Sequence, residues 1–242
     1  MSYGFKIIAE GDYACFSRPE LKVERVSYDV PTPGALEGML KSIFWKPAIR
    51  FCIDKIIVFN PIDFINIRRN EVKDKVLMKD IEAQMKGVEK DACIYANESR
   101  SQRASMILKN VKYGIEFHFE MTGIKSDNEQ ENDEKYYSII KRRLENGQHF
   151  RTPCFGCSEF PVRSITLVDE FDMNLVSSSV LAMGDYDLGF MCYKLFFNDK
   201  GIPVNGDWDN PKFSDSASAK YYHPHLVNGV IDVAKYRREL KC

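Results

Sequence analysis

Apolar residues alternate with polar ones along 111–121: Val111, Tyr113, Ile115, Phe117 and Phe119 share one face, opposite Lys112, Glu116, His118 and Glu120. A period of two over that length predicts a strand buried on one side. Short β-branched or aromatic runs predict further strands at 4–9, 51–60, 64–69, 104–109 and 162–168. Between the first two, residues 11–33 are irregular, because Pro19, Pro31 and Pro33 forbid regular pairing. Leu36, Met39, Leu40 and Ile43 recur at helical spacing and predict a helix over 34–45. Thr32 can cap its start, Pro33 suits the first position, and Pro47 closes it. A second helix covers about 134–145 and stops at Asn146-Gly147. Segment 72–90, rich in Lys, Glu, Met and Gln, predicts a helical insertion. Past residue 171, strands are expected at 186–197 and 226–233, joined by a Gly/Asp/Asn/Pro-rich stretch.

This order predicts an α+β protein. Residues 1–170 form a ferredoxin-like (RRM-like) βαββαβ domain with insertions, and 171–242 a small C-terminal antiparallel β-sheet domain. Such a fold hosts many functions and decides none of them.

Composition changes the picture little. At 44% hydrophobic and 29% charged, the chain can bury an ordinary core. No run approaches the ~18 apolar residues of a membrane span, and Met1–Lys6 lacks the order of a secretory signal. A cytoplasmic protein without membrane contact is expected. Seven scattered cysteines, an odd number, point to reduced thiols rather than a disulfide framework. Cys154 and Cys157 form a CxxC without a second pair, and His223 and His225, separated by Pro224, are poorly spaced for structural zinc. Neither metal nor other cofactor is expected.

A net charge of −1 gives no bulk sign of a nucleic-acid binder. Locally, 126–134 holds five acids and no base and reads as a mobile acidic loop, whereas 135–151 sets Lys135, Lys141, Arg142, Arg143 and Arg151 against Glu145 alone. That strip reads either as a phosphate track or as a solvated helix face.

Four blocks carry a resemblance: Gly11–Pro47, Ile67–Val72 (IRRNEV), Ser101–Phe119, and Lys135–Arg163. Together they resemble the Dvulg-subtype (type I-C) branch of the fifth Cas protein family, in the repeat-associated RNA-binding (RAMP) superfamily. The likeness is weaker in the last quarter. It implies a metal-independent endoribonuclease that recognises the hairpin in each CRISPR repeat and leaves a 5′ tag on the guide RNA. It further implies a subunit, monomeric on its own, that joins the other subunits of the type I-C interference complex.

Metal-free cleavage uses the neighbouring 2′-OH as nucleophile, giving a 2′,3′-cyclic phosphate. It needs a base, a cation near the phosphorane and an acid for the leaving oxygen. The resemblance implies a Tyr in the first helix and a Lys-His pair opening the second; here those positions hold Phe44 and Lys135-Tyr136. Only the lysine is kept. Lys135 is therefore the expected electrostatic clamp, with Tyr136, Tyr137 or His149 moving protons. Lys141, Arg142, Arg143 and Arg151, joined by Arg25, Tyr28, Lys46, Arg68 and Arg69, are the expected RNA contacts. The plainer alternatives are that Phe44 is core, that Tyr137 belongs to the packed face of the second helix, and that His149 is solvated. At the level of function, the alternative is a scaffold that holds the 5′ tag without cutting. A small-molecule enzyme finds no phosphate-cradling Gly loop, paired carboxylates or metal-ligand cluster to support it.

Overall fold

The computed structural model describes residues 4–21, 23–88, 92–124, 131–199, 202–207 and 209–240. Its centre is an antiparallel sheet built from β1 (Gly4–Ala14), β2 (Ile49–Val58), β4 (Arg100–Met121) and β5 (Ser164–Val168), in the order β5-β1-β4-β2. With α1 (Pro33–Ile43) after β1 and α3 (Asp133–Glu145) after β4, this is the expected βαββαβ arrangement. Two insertions interrupt it: β3 (Phe64–Val72) and α2 (Met78–Met85), the latter with no buried residue.

Thr32 caps α1 as expected, its Oγ1 accepting from the Ala35 amide at 3.2 Å, with Pro33 at the first helical position. Asn132 does the same for α3, and Gly147, at φ +62, follows its end. The alternation along 111–121 is borne out: Tyr113, Ile115, Phe117 and Phe119 are all buried beneath the helices, in a core shared with Ile7, Leu36, Leu40 and Tyr136.

Three expectations need correction. The runs 104–109 and 111–121 are not two strands but one strand of 22 residues, β4. Its first half pairs with β3 and its second with β2, and the change of partner falls at Asn110, which takes φ +50 to make the bend. The run 226–233 is a hairpin, β9 (His225–Val227) and β10 (Val230–Asp232), turned by Asn228-Gly229 with both φ positive. The run 186–197 is likewise broken by Gly189 into β6 (Asp185–Asp187) and β7 (Met191–Phe197). Of the acidic 126–134 run, residues 126–130 lie outside the described residues.

Among the described residues, β7 and β8 (Ala217–Tyr222) alone form the separate small antiparallel sheet. The other strands of the last seventy residues continue the main one, β10 pairing with β2, then β9, then β6 at the edge. Helix α5 (Val233–Glu239) then lies over β2 on the face that α1 and α3 leave open. No helix of the described residues is long and apolar enough to cross a membrane.

That open face is tiled with cross-strand ion pairs: Arg50 with Glu120, Lys55 with Glu116, Lys112 with Glu10. At its centre β2 carries a bulge, since Ile53 faces Phe117 and Lys55 already faces Glu116. The extra residue, Asp54, is aimed at His118 Nδ1 (2.6 Å) and at Arg237 of α5 (2.8 Å). The hydrogen bond to Asp54 raises the His118 pKa from 6.5 to about 10. His118 is therefore charged at neutral pH. Because the folded value lies above the unfolded one, this contact stabilises fully below pH 6.5 and fades as pH rises towards 10. Resistance to urea is expected to fall across that window, and more steeply than in His118→Asn. Ring-proton NMR should titrate His118 near 10; a midpoint near 6.5 would remove the effect.

Candidate RNA-cleavage site

The last turn of α1 and the first turn of α3 meet at the end of the sheet where β1 begins, because both helices cross the same face and Tyr137 stacks on Phe5 (5.0 Å between ring centres). Phe44 and Tyr136, 92 residues apart in sequence, are in ring contact at 5.9 Å. Lys135 Nζ lies 5.7 Å from the centre of the Tyr136 ring. The loop after α3 returns to the same place: the amides of Phe150 and Arg151 both donate to the Ser42 carbonyl, at 3.2 and 3.3 Å. Lys135, Lys46, His149, Phe150 and Arg151 thus lie on the segments that meet at the end of α1, and all but half-buried Lys135 are exposed.

Several expected residues do other work. Tyr136 is fully buried and its hydroxyl has no hydrogen-bond partner among the described residues, so it cannot exchange a proton with an RNA outside. Phe44 is buried as core. Arg143 turns inward, donating to the Ile43 carbonyl with its guanidinium 5.2 Å from the Phe44 ring centre; it ties α3 to α1. Tyr28, 2% exposed, accepts a hydrogen bond from the Cys192 amide at 3.2 Å and joins the first irregular segment to β7. Its expected role as an RNA contact gives way to packing. Tyr137 is half-buried against Phe5 and lines a cavity of about 330 Å³ with Lys141, Lys6 and Glu116. Neither Lys135 nor Arg142 lines it. Lys141 also pairs with Glu145 one turn on, and Arg142 is exposed.

Arg25, Arg68 and Arg69 belong to another place. Arg25 and Arg69 both grip Glu159, and Arg69 also reaches Ser105 at 3.3 Å. Glu159 follows the turn at Phe155–Cys157, which packs on the far end of β1 at Cys15. Eight residue steps along β1 separate Phe5 from Tyr13, so this cluster stands roughly 25 Å from the Phe44–Tyr136 contact. The CxxC sulfurs do not act together: Cys157 turns to Cys15 and Ser17, and the thiols are free.

Three cations lie on the segments that meet at this junction, Lys46, Lys135 and Arg151. Lys135 occupies the first turn of α3, where the helix dipole disfavours a positive charge by about 0.3–1 kcal/mol. Trp45 and Phe150, which sequence reasoning did not single out, are exposed here and offer two ring faces of the kind on which unpaired bases can stack. The signal was their position, each beside a lysine or arginine just past a helix end. Since the Tyr136 hydroxyl is buried without a partner, Tyr136→Phe is expected to leave cleavage unchanged and to stabilise the fold by about 1 kcal/mol. A tenfold loss of cutting in that variant would restore Tyr136 as a proton carrier.

Residues 6–234 match the model of the CRISPR-associated protein (Cas_Cas5) family. The chain belongs to that family. It is 40% identical over 230 residues to the CRISPR pre-crRNA endoribonuclease Cas5d of Mannheimia succiniciproducens, covering 95% of this chain and 94% of that protein. With the protein of the same name from Thermus thermophilus it shares 38% identity over 156 residues, 64% of this chain and 61% of the relative. Among solved structures, a functionally uncharacterized protein from Streptococcus mutans superposes with a TM-score of 0.61 at 21% identity, over 95% of this chain and 91% of that one. The fold is therefore shared well beyond recognisable sequence. The resemblance that placed a Tyr and a Lys-His pair at Phe44 and Lys135-Tyr136 is to this Cas5 family. Those positions, distant in sequence, converge in space.

Proposed function

We propose that this Cas5-family chain is a CRISPR repeat endoribonuclease, cutting precursor transcripts by 2′-OH attack without a metal and keeping the 5′ tag it generates. What supports this reading is the contact between the family's three motif positions, Phe44, Lys135 and Tyr136, beside the end of α1, to which the loop bearing His149 and Arg151 returns. In this reading Lys135 stabilises the phosphorane, and His149, exposed in the loop after α3, moves the protons. Lys46, Arg142 and Arg151 follow the phosphates, and Trp45 and Phe150 stack bases. The name shared by both relatives supports the activity. A cytoplasmic complex with the other type I-C interference subunits is the expected setting.

One observation favours the rival reading, a scaffold that holds the tag without cutting: Phe44 has no hydroxyl, and that of Tyr136 is sealed in the core. Labelled cognate repeat incubated with the purified chain in EDTA separates the two. A single cut ending in a 2′,3′-cyclic phosphate is the expected outcome. Tight binding with no cut would leave the scaffold.

A further inference from the structure

Among the described residues, two groups of His, Cys and acidic side chains bring three ligand atoms within 4.8 Å of one another. The first, Cys52, His118 and Glu120, is already neutralised: Arg50 holds Glu120 at 2.6 Å, Arg237 holds Asp54 at 2.8 Å, and His118 is itself a cation. A further positive charge has no place there. The second group, Asp187, His223 and His225, differs in each respect.

Strand register builds it. β6 and β9 are antiparallel neighbours with Asp187 opposite His225, so the two side chains share a face. Asp185 and His223, each two residues earlier, return to that same face. The sequence spacing that looked poor for zinc, one residue between two histidines, is the period of an extended chain, and Pro224 does not alter it. His223 Nε2 stands 2.6 Å from Asp187 Oδ1, and the His223 ring is stacked on Phe190 at 4.9 Å. His225 Nδ1 stands 2.7 Å from Asp185 Oδ1. A proton on that nitrogen, donated to Asp185, leaves Nε2 with its lone pair, the carboxylate–histidine arrangement that orients metal ligands. Among the described residues, no lysine or arginine pairs with Asp185 or Asp187. The side chains are 40–65% exposed, so an ion can reach them.

We propose that Asp187, His223 and His225 bind one zinc-class divalent ion, with Asp185 as the outer partner that positions His225. Two imidazole nitrogens and one carboxylate oxygen suit a borderline ion such as Zn²⁺ and leave the fourth tetrahedral position to water; the oxygen-seeking Mg²⁺ and Ca²⁺ are poorly matched. Ligand atoms at tetrahedral edges lie about 3.3 Å apart, so the His223–Asp187 contact of 2.6 Å opens by about 0.7 Å on binding. The ion would join the edge strand β6 to the segment leaving β8, fastening the small sheet to the main one. This site is separate from the cleavage residues and independent of metal-free cutting.

The test uses the full chain stripped of metal, titrated with Zn²⁺ against a chromophoric chelator and with Co²⁺ by visible absorption. Expected are one equivalent of Zn²⁺ per chain and a rise in melting temperature on loading. The double variant His223→Ala/His225→Ala should lose at least tenfold in affinity together with that rise. Asp185→Asn should weaken binding about 10- to 100-fold, and Cys52→Ser should leave it unchanged. Failure of the native chain to bind one equivalent would overturn the proposal. So would undiminished affinity in the double variant, or thiolate charge-transfer bands in the Co²⁺ spectrum, which would place the ion at cysteines.

Discussion

Lys135→Ala is expected to slow repeat cleavage by about 100- to 1000-fold, the usual loss when one preorganised charge is removed from a developing oxyanion. Binding should weaken far less, because one phosphate contact among several contributes only a fraction of the affinity. The two readouts separate a catalytic cation from a merely attractive one. A variant that binds and cuts like the native chain would remove Lys135 from the mechanism; one that loses binding and cutting in parallel would make it part of the phosphate track. Lys135→Arg keeps the charge and should retain part of the rate. Arg143→Ala offers a contrast: its guanidinium is committed to the Ile43 carbonyl and the Phe44 ring, so its loss should appear as lower stability rather than slower chemistry.

Gly156→Ala is expected to destabilise the fold by about 3 kcal/mol or more, read as a lower urea midpoint. Gly156 takes φ +81, and a Cβ there would stand 2.0 Å from the Cys15 carbonyl oxygen and 2.7 Å from its carbon. Neither partner can yield. Cys15 is buried and its amide donates to the Phe155 carbonyl at 3.1 Å, while Phe155 is fully buried against Phe16 and Tyr113. Gly147→Ala provides the control: φ is again positive, at +62, but nothing lies within 4 Å, so only the conformational cost of about 1 kcal/mol remains. Equal midpoints for the two variants would mean that the turn does not rest on β1.

Local signals carried most of the fold. Thr32 and Pro33 mark a helix start because capping is decided within four residues, and the Val111–Phe119 alternation marks a buried strand because period two is written in the chain itself. Asn110 hid the continuity of β4: asparagine reads as a break, yet here it supplies one left-handed residue inside a strand. Asn228-Gly229 was the opposite case, a hairpin signal inside a run that otherwise read as one strand. At the site, sequence order put Lys135 and Tyr136 side by side but could not say that a helix sends one towards solvent and the other into the core. Arg69 and Arg25 look like RNA contacts until Glu159, some 90 and 134 residues away, is seen between them. The Asp54–His118–Arg237 cluster was equally invisible, since it depends on a bulge and on a helix 183 residues downstream of Asp54.

The pairing of β10 with β2 sets an order for synthesis. Strand β2 leaves the ribosome with one side hydrogen-bonded to nothing until residues 230–232 follow. At 5–20 residues per second that interval is roughly 10–35 s. Throughout it the nascent chain displays an open β edge, the feature through which half-made proteins adhere to one another. Chains released early should therefore collect in the insoluble fraction, and holding chaperones should matter more for this protein's yield than its final stability would suggest.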